Sequence, residues 1–237
     1  MSNAKTPTNE ERISSDNIPQ DPAEGTPSYE AFFVPPAQAE RGNGVMVLPS
    51  KWGVTSSVKN YCYELSDLGY SVIAPQVLQG PLPLEERTAD ELLEQADPNL
   101  MVDAVRSSLH ALRSYSLDPK KPVTIIGFGM GASLAIWASE RLFDSVNLCV
   151  AYYGSQDINF EDSQSEYLLN FAKDDEYTSE DDANFCYSNL KVSGKEAEVH
   201  WFDAKHDFME KELPNYNQAA ATQAWQDTLT IVQRVNS

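Results

Sequence analysis

Short apolar runs alternate with longer amphipathic stretches along most of this chain. Runs rich in aliphatic and aromatic residues predict β-strands at residues 29–34, 44–48, 70–75, 123–126, 146–153, 167–172 and 198–202. Apolar residues at helical spacing predict helices at residues 56–68, 100–114, 132–141 and 218–234. The Pro- and Gly-containing stretch between the third strand and the second helix predicts a loop at residues 76–89. This alternation is typical of βαβ units, so the sequence predicts an α/β fold with a mostly parallel sheet and helices on both faces.

Polar residues dominate positions 1–28, where Ser, Asn, Pro and Glu are frequent. Such a composition cannot bury enough apolar surface to offset the cost of ordering the chain, so we expect a flexible leader there. The remaining residues, 29–237, are sufficient for one large domain with a buried core.

A glycine-rich turn joins the fourth predicted strand to the helix that follows it. Its sequence is Gly127-Phe128-Gly129-Met130-Gly131. A strand, a tight glycine turn and a helix form the setting of the G-x-S-x-G nucleophile elbow, in which the central side chain attacks the substrate. Gly129 holds that central position and has no side chain with which to attack.

Two further polar residues, Asp175 and His206, each follow a predicted strand. The carboxyl ends of parallel strands meet at one edge of a sheet, where sites form. In α/β-hydrolases the order along the chain is nucleophile, acid and histidine; the acid fixes the imidazole tautomer and the imidazole transfers the proton. We therefore predict that Asp175 and His206 form a pair beside Gly129. His110 lies within a helix and His200 within a strand, so both are expected to be structural.

Seven stretches of the chain, in this order, resemble the dienelactone hydrolase family. They are GVMVLPSKWGV (44–54), LSDLGYSVIAPQ (65–76), VTIIGFGMGASLA (123–135), AYYG (151–154), FAKDDEY (171–177), VHWFDAKHDF (199–208) and YNQAAATQAWQDTL (216–229). The resemblance implies a single three-layer α/β-hydrolase domain that acts on esters or lactones through a Cys or Ser, His and Asp triad. It maps the nucleophile onto Gly129, the acid onto Asp175, the base onto His206 and the oxyanion hole onto the backbone N–H groups of Lys51 and Met130.

The chain departs from this family pattern at four further positions. Ser50 stands where typical members carry a glutamate that interacts with the nucleophilic thiol, and Gln76 replaces the usual aspartate. Gly80 and Glu210 stand near the places of two arginines that bind a substrate carboxylate in the family. Glu210 would repel a carboxylate that an arginine would bind, so we expect a substrate other than a dienelactone.

The missing nucleophile predicts ester hydrolysis that is weak or absent. Removing the serine of a triad enzyme lowers turnover on the order of 10⁶-fold, while the oxyanion hole and binding alone retain roughly 10³–10⁴ over water. The acid–histidine pair could still activate a water molecule, although slowly. Ser133 lies one helical turn beyond the elbow and is expected to point away from it. Ser50 and Ser155 lie on neighbouring loops and stay open as substitute nucleophiles.

Two other classes of function fit parts of the sequence. A non-catalytic protein that binds a small ligand would keep a hydrolase pocket lined by Ser50, Trp52, Phe128, Met130, Tyr153 and Phe208. Residues 127–132 also match the dinucleotide fingerprint G-x-G-x-x-A, which would indicate an NAD(P)-binding protein. That fingerprint normally occupies the first strand–helix turn and is followed by an acidic residue at the end of the next strand. Here at least two core strands precede it and that acidic residue is absent, which disfavours this alternative.

Charge and cysteine content narrow the choice of partners. The chain has 36 Asp and Glu against 17 Lys and Arg, a formal net charge of −19. Such a surface repels nucleic-acid phosphates and anionic lipids, so we expect a small-molecule ester, lactone or other small ligand, with no nucleic acid and no membrane.

The three cysteines lack metal-site spacing, and we expect buried thiols at Cys62 and Cys149, with no metal or cofactor. No signal-peptide pattern is present, so the cytoplasm is the expected location.

Overall fold

The computed structural model describes residues 29–39 and 41–237. They form seven strands and six helices, which are joined by loops. The strands are β1 (Ala31–Val34), β2 (Gly44–Leu48), β3 (Ser71–Pro75), β4 (Val123–Phe128), β5 (Val146–Tyr152), β6 (Glu166–Asp174) and β7 (Ala197–Lys205). The helices are α1 (Ser56–Asp67), α2 (Glu86–Glu94), α3 (Pro98–Tyr115), α4 (Met130–Arg141), α5 (Glu180–Val192) and α6 (Gln218–Asn236). The predicted leader at residues 1–28 lies outside the described residues, so its flexibility stays a prediction.

The strands form one sheet in the order β1-β3-β2-β4-β5-β6-β7. β1 is antiparallel to β3 at one edge, and every other neighbouring pair is parallel. β2, β3 and β4 are buried along their whole length, which explains their continuous apolar sequences, because both faces of a parallel sheet are covered. The predicted α/β class with a mostly parallel sheet is confirmed.

Hydrophobic side chains fill a core on each face of the sheet. α1 and α6 cover one face and bury Val58, Leu65 and Trp225 there, among others. α3, α4 and α5 cover the opposite face, where Leu112 and Ile136 are buried. The result is the three-layer arrangement that the sequence predicts.

The apolar pattern misses two helices. α2 begins at Glu86, so the predicted loop at 76–89 is too long; Ala89 is buried and Leu92 and Leu93 pack partly buried against the core, a short apolar stripe at helical spacing that the prediction overlooks. α5 buries only three residues, and its one clear signal is Ser179, whose side chain caps the helix by accepting the N–H of Asp182. The other elements differ from their predicted bounds only at their ends.

The three cysteines, Cys62, Cys149 and Cys186, are buried and unpaired, which confirms the prediction for the first two. Burial raises the pKa of each thiol, so none is prepared to act as a thiolate. Within residues 29–39 and 41–237, no helix is both long and apolar enough to cross a bilayer. In the same ranges, no group of three or more His, Cys, Asp or Glu side chains is placed to hold a metal ion.

Candidate active site

Gly129 lies at the apex of the turn between β4 and α4. Its φ of 51° and ψ of −115° are strained for L-residues and open to glycine. The turn is tight: a Cβ atom at Gly127 would collide with the carbonyl of Gly131, and one at Gly131 with the carbonyl oxygens of Leu48 and Pro49. Close packing of α4 on β2 and β4 therefore explains the flanking glycines without a bound dinucleotide.

A side chain at position 129 would project into a space bordered by three residues. A Cβ atom there would lie 3.4 Å from His206 Nε2, 3.6 Å from Ser50 Cβ and 3.7 Å from Tyr153 Cε2. These are close to van der Waals contact distances, so a small side chain fits. We call the volume enclosed by Gly129, His206, Ser50 and Tyr153 the apex space.

Asp175 and His206 meet beside the apex space, as the sequence predicts. His206 Nδ1 lies 2.9 Å from Oδ1 and 3.0 Å from Oδ2 of the Asp175 carboxylate. Asp175 Oδ1 also accepts the backbone N–H groups of Tyr177, at 2.8 Å, and Thr178, at 2.9 Å, which fix the carboxylate in place. When Nδ1–H is donated to Asp175, Nε2 becomes an acceptor that faces the apex space. The catalytic roles of the two residues stay predictions.

The backbone N–H groups of Met130 and Lys51 are the predicted oxyanion donors. Met130 is the first residue of α4, so its N–H has no acceptor within the helix. Lys51 lies in the turn after β2, and the end of β2 packs directly against Gly131 at the start of α4. The two segments that carry these N–H groups are therefore neighbours, although the role of the N–H groups is still a prediction.

The side chain of Lys51 attaches helix α2 to the site. Its Nζ donates to Asp90 Oδ1 at 2.6 Å and to the Tyr177 hydroxyl at 3.1 Å, and it lies 3.5 Å from Glu86 Oε1. Burial lowers the pKa of the ammonium group, but its hydrogen bonds to Asp90 and Tyr177 outweigh burial and raise the pKa above its ordinary value. The Tyr177 ring packs 4.7 Å from the His206 ring. Lys51 is therefore a fixed cation that is already paired.

Glu210 forms a buried polar cluster with Ser50 and Thr55. Its Oε1 accepts the Ser50 hydroxyl at 2.6 Å and its Oε2 accepts the Thr55 hydroxyl at 2.9 Å. Burial raises the pKa of Glu210 to about 8, against the effect of the Ser50 hydrogen bond and with support from the nearby Asp207 carboxylate. The carboxyl is thus largely neutral at pH 7. The expected repulsion of a substrate carboxylate by Glu210 is correspondingly weakened.

Asp207 is a site residue that sequence reasoning misses. It has a φ of 62°, and its Oδ2 accepts the indole N–H of Trp52 at 3.0 Å. Its Oδ1 lies 3.7 Å from His206 Nε2 and has no hydrogen-bond partner among the described residues. Burial raises the pKa of this carboxyl, while His206 and the Trp52 hydrogen bond lower it. No pattern in the sequence signals a second carboxylate at the imidazole.

Two predicted pocket residues belong to the core instead. Phe128 is stacked between the rings of Tyr61 and Tyr152, at centroid distances of 5.5 and 4.9 Å. Phe208 packs edge-on against the Tyr153 ring, which borders the apex space, with 5.4 Å between the two ring centroids. Both phenylalanines pack against the rings of Tyr61, Tyr152 and Tyr153, so they support the site from behind.

The remaining candidate side chains lie away from the apex space. The Ser133 hydroxyl donates to the carbonyl of Ser155 at 2.9 Å, which agrees with the predicted direction of Ser133. His200 Nδ1 pairs with Asp227 Oδ2 at 3.2 Å, between β7 and α6, and His110 is exposed on α3. Of the three histidines, only His206 faces Gly129.

The sheet order and the turn after β4 define a single-domain α/β-hydrolase fold. The sequence profile of the dienelactone hydrolase family matches residues 29–236, and the chain belongs to this family. Protein usf of Aquifex pyrophilus is 25% identical over 199 residues, which cover 79% of this chain and 86% of that protein. A putative carboxymethylenebutenolidase of Aquifex aeolicus is 25% identical over 196 residues, covering 78% and 85%. The crystal structure of a putative dienelactone hydrolase from Klebsiella pneumoniae is similar with a TM-score of 0.76 at 20% identity, covering 86% of this chain and 92% of that chain.

Proposed function

We propose that this protein has the site of an ester or lactone hydrolase, but that its turnover is weak or absent because residue 129 supplies no attacking group. One observation carries the proposal: Gly129 occupies the apex of the turn, and His206 Nε2 lies 3.4 Å from the place where its Cβ would be. Membership of the dienelactone hydrolase family and the names of the relatives support the ester and lactone class.

The proposed site leaves one slow route to hydrolysis. A substrate carbonyl would direct its oxygen to the backbone N–H groups of Met130 and Lys51. His206 Nε2 would accept a proton from a water molecule whose oxygen attacks the carbonyl carbon, and would return that proton to the departing alkoxide. Asp175 would orient the imidazole and stabilise its charged form. Without a covalent step, this route lacks the contribution that a triad serine makes.

A second candidate function is the binding of a small ligand without cleaving it. The specific observation in its favour is that Asp207 Oδ1 and the Tyr153 hydroxyl are buried near Gly129 without hydrogen-bond partners in the described residues. Such atoms favour a ligand or water that completes their hydrogen bonds.

The proposal predicts very low esterase activity in the native chain. With p-nitrophenyl acetate we expect a kcat/KM below about 10 M⁻¹s⁻¹, several orders of magnitude under the roughly 10⁴–10⁸ of ordinary enzymes. Purified native protein is compared with His206→Ala and with Ser50→Ala, each checked for folding by circular dichroism. An ordinary efficiency in the native chain that is lost in His206→Ala would contradict the proposal, and loss in Ser50→Ala would identify Ser50 as the substitute nucleophile.

A further inference from the structure

Two buried polar atoms near the apex space lack hydrogen-bond partners in the described part of the chain. They are Oδ1 of Asp207, whose residue is 6% exposed, and the hydroxyl of Tyr153, which is fully buried. Buried polar atoms are almost always paired in folded proteins, and leaving one unpaired costs about 1–3 kcal/mol. The two atoms therefore indicate a place where a group from outside the protein completes the hydrogen bonding.

Two acceptor atoms face this place. His206 Nε2 is an acceptor when Nδ1–H is donated to Asp175, and Asp207 Oδ1 lies 3.7 Å from it. That separation is too long for a direct hydrogen bond. It suits one bound group that carries at least two N–H bonds and donates to both acceptors. Because Nε2 lies 3.4 Å from the place of a Cβ atom on Gly129, such a group would occupy the apex space.

The charges around the apex space distinguish between a cationic and an anionic ligand group. The ammonium group of Lys51 is held by Asp90 and lies 3.5 Å from Glu86, so it is not free to pair with an anionic ligand. Asp207 is a carboxylate buried against His206, and burial raises its pKa, a penalty that an adjacent positive charge relieves. A ligand carboxylate would place a like charge beside Asp207, whereas a ligand ammonium group would pair with it.

We propose that the apex space binds the primary ammonium group of a small ligand, which donates N–H bonds to His206 Nε2 and Asp207 Oδ1. The Tyr153 ring, whose Cε2 lies 3.7 Å from the place of a Cβ atom on Gly129, borders the same space. The inference deepens the proposed function and rests on the absence of a side chain at Gly129, because a larger residue would fill the space. An alcohol has one O–H, so it can donate to only one of the two acceptors and brings no charge, and a carboxylate can donate to neither.

Three probes with the same carbon chain test this ligand class: 1-propylammonium, 1-propanol and propionate. Each is titrated into the native full-length chain while backbone and imidazole resonances are followed by NMR. For the amine we expect binding on the order of 1–10 mM, with the largest shifts at His206 and Asp207. We expect binding of 1-propanol to be at least about fivefold weaker, and propionate to leave the His206 resonances unchanged.

Two Asp→Asn variants separate a local contact from general attraction to an acidic chain. Asp207→Asn keeps the shape of the side chain, and Asn tolerates positive φ, so the fold is expected to persist. It is expected to weaken amine binding at least about tenfold while leaving 1-propanol within about twofold. Asp203→Asn removes an exposed carboxylate of β7, the strand that precedes Asp207, and is expected to leave amine binding unchanged.

Failure of this inference and failure of the proposed function give different results. Equal binding of the three probes, no binding of the amine, or equal losses in the two variants would overturn the ammonium site. None of these results would change the esterase measurement. Conversely, ordinary esterase turnover of the native chain together with selective amine binding would overturn the proposed function and retain the ammonium site.

Discussion

Gly129→Ser is expected to create an esterase, with turnover of p-nitrophenyl acetate at least about 100-fold above that of the native chain. The serine Cβ would lie 3.4 Å from His206 Nε2, so a hydroxyl rotated toward the ring comes within hydrogen-bond reach. Asp175 already holds the imidazole through Nδ1. Asp175, His206 and the new serine would then form the hydrogen-bonded acid–histidine–nucleophile series of a triad.

A matched pair of variants separates the hydroxyl from the backbone change. Any L-residue at a φ of 51° is strained, and we expect Gly129→Ser and Gly129→Ala each to lose about 1–3 kcal/mol of unfolding free energy in denaturant titrations. Only the serine variant is expected to gain turnover, and adding His206→Ala is expected to abolish the gain. A folded Gly129→Ser protein without activity would show that His206 is not positioned to take the proton.

Glu210→Gln is expected to stabilise the protein at alkaline pH. The pKa of Glu210 is raised from 4.5 to about 8 by burial, so the native state holds a proton over a range in which the unfolded state has lost it. The free energy of unfolding contributed by this group is therefore fully present below pH 4.5, falls as pH rises, and is lost above about pH 8. Glutamine, like the protonated carboxyl, has one donor and one acceptor group, so one of the Ser50 and Thr55 hydroxyls accepts instead of donating, and the amide never ionises. The variant should exceed the native chain by about 2–5 kcal/mol at pH 9 and by little at pH 4.5.

Urea titrations of the native and variant chains between pH 4.5 and 9 measure this difference. Glu210→Ala serves as the control, because it removes the ionisation and both hydrogen bonds together. We expect it to show the same change in pH dependence, displaced to lower stability at every pH by the lost contacts. A constant difference between Glu210→Gln and the native chain across this range would contradict a buried, protonated Glu210.

The strands and the acid–histidine contact could be predicted because each is expressed locally in the sequence. The runs at residues 45–48 and 124–126 lie in strands buried on both faces, so burial leaves a continuous apolar signal. Asp175 and His206 each follow a strand, and parallel topology brings such positions to the same edge of the sheet. The sequence pattern was therefore sufficient to place these two residues together.

The missed features depend on contacts between distant segments. α2 packs its short apolar stripe, Ala89, Leu92 and Leu93, on the core. Its contacts with the site are polar ones, from Asp90 to Lys51 and from Glu86 to Tyr177, which sequence spacing does not reveal. The environment of Glu210 comes from hydroxyl groups that lie about 160 residues earlier in the chain. Asp207 is next to the predicted histidine, but its backbone adopts a positive φ and its carboxylate contacts both the imidazole and Trp52, which no spacing in the sequence reveals. None of these arrangements follows from spacing along the sequence.

The measurement that most directly tests a hydrolase site without its nucleophile is intact-mass analysis after reaction with a fluorophosphonate. An activated serine oxygen attacks the phosphorus of this probe and fluoride departs, so the added mass reports a working nucleophile. We expect no adduct on the native chain and one adduct on Gly129→Ser, mapped to residue 129 and abolished by His206→Ala. An adduct on the native chain that depends on His206, or a folded Gly129→Ser protein that stays unmodified, would contradict it.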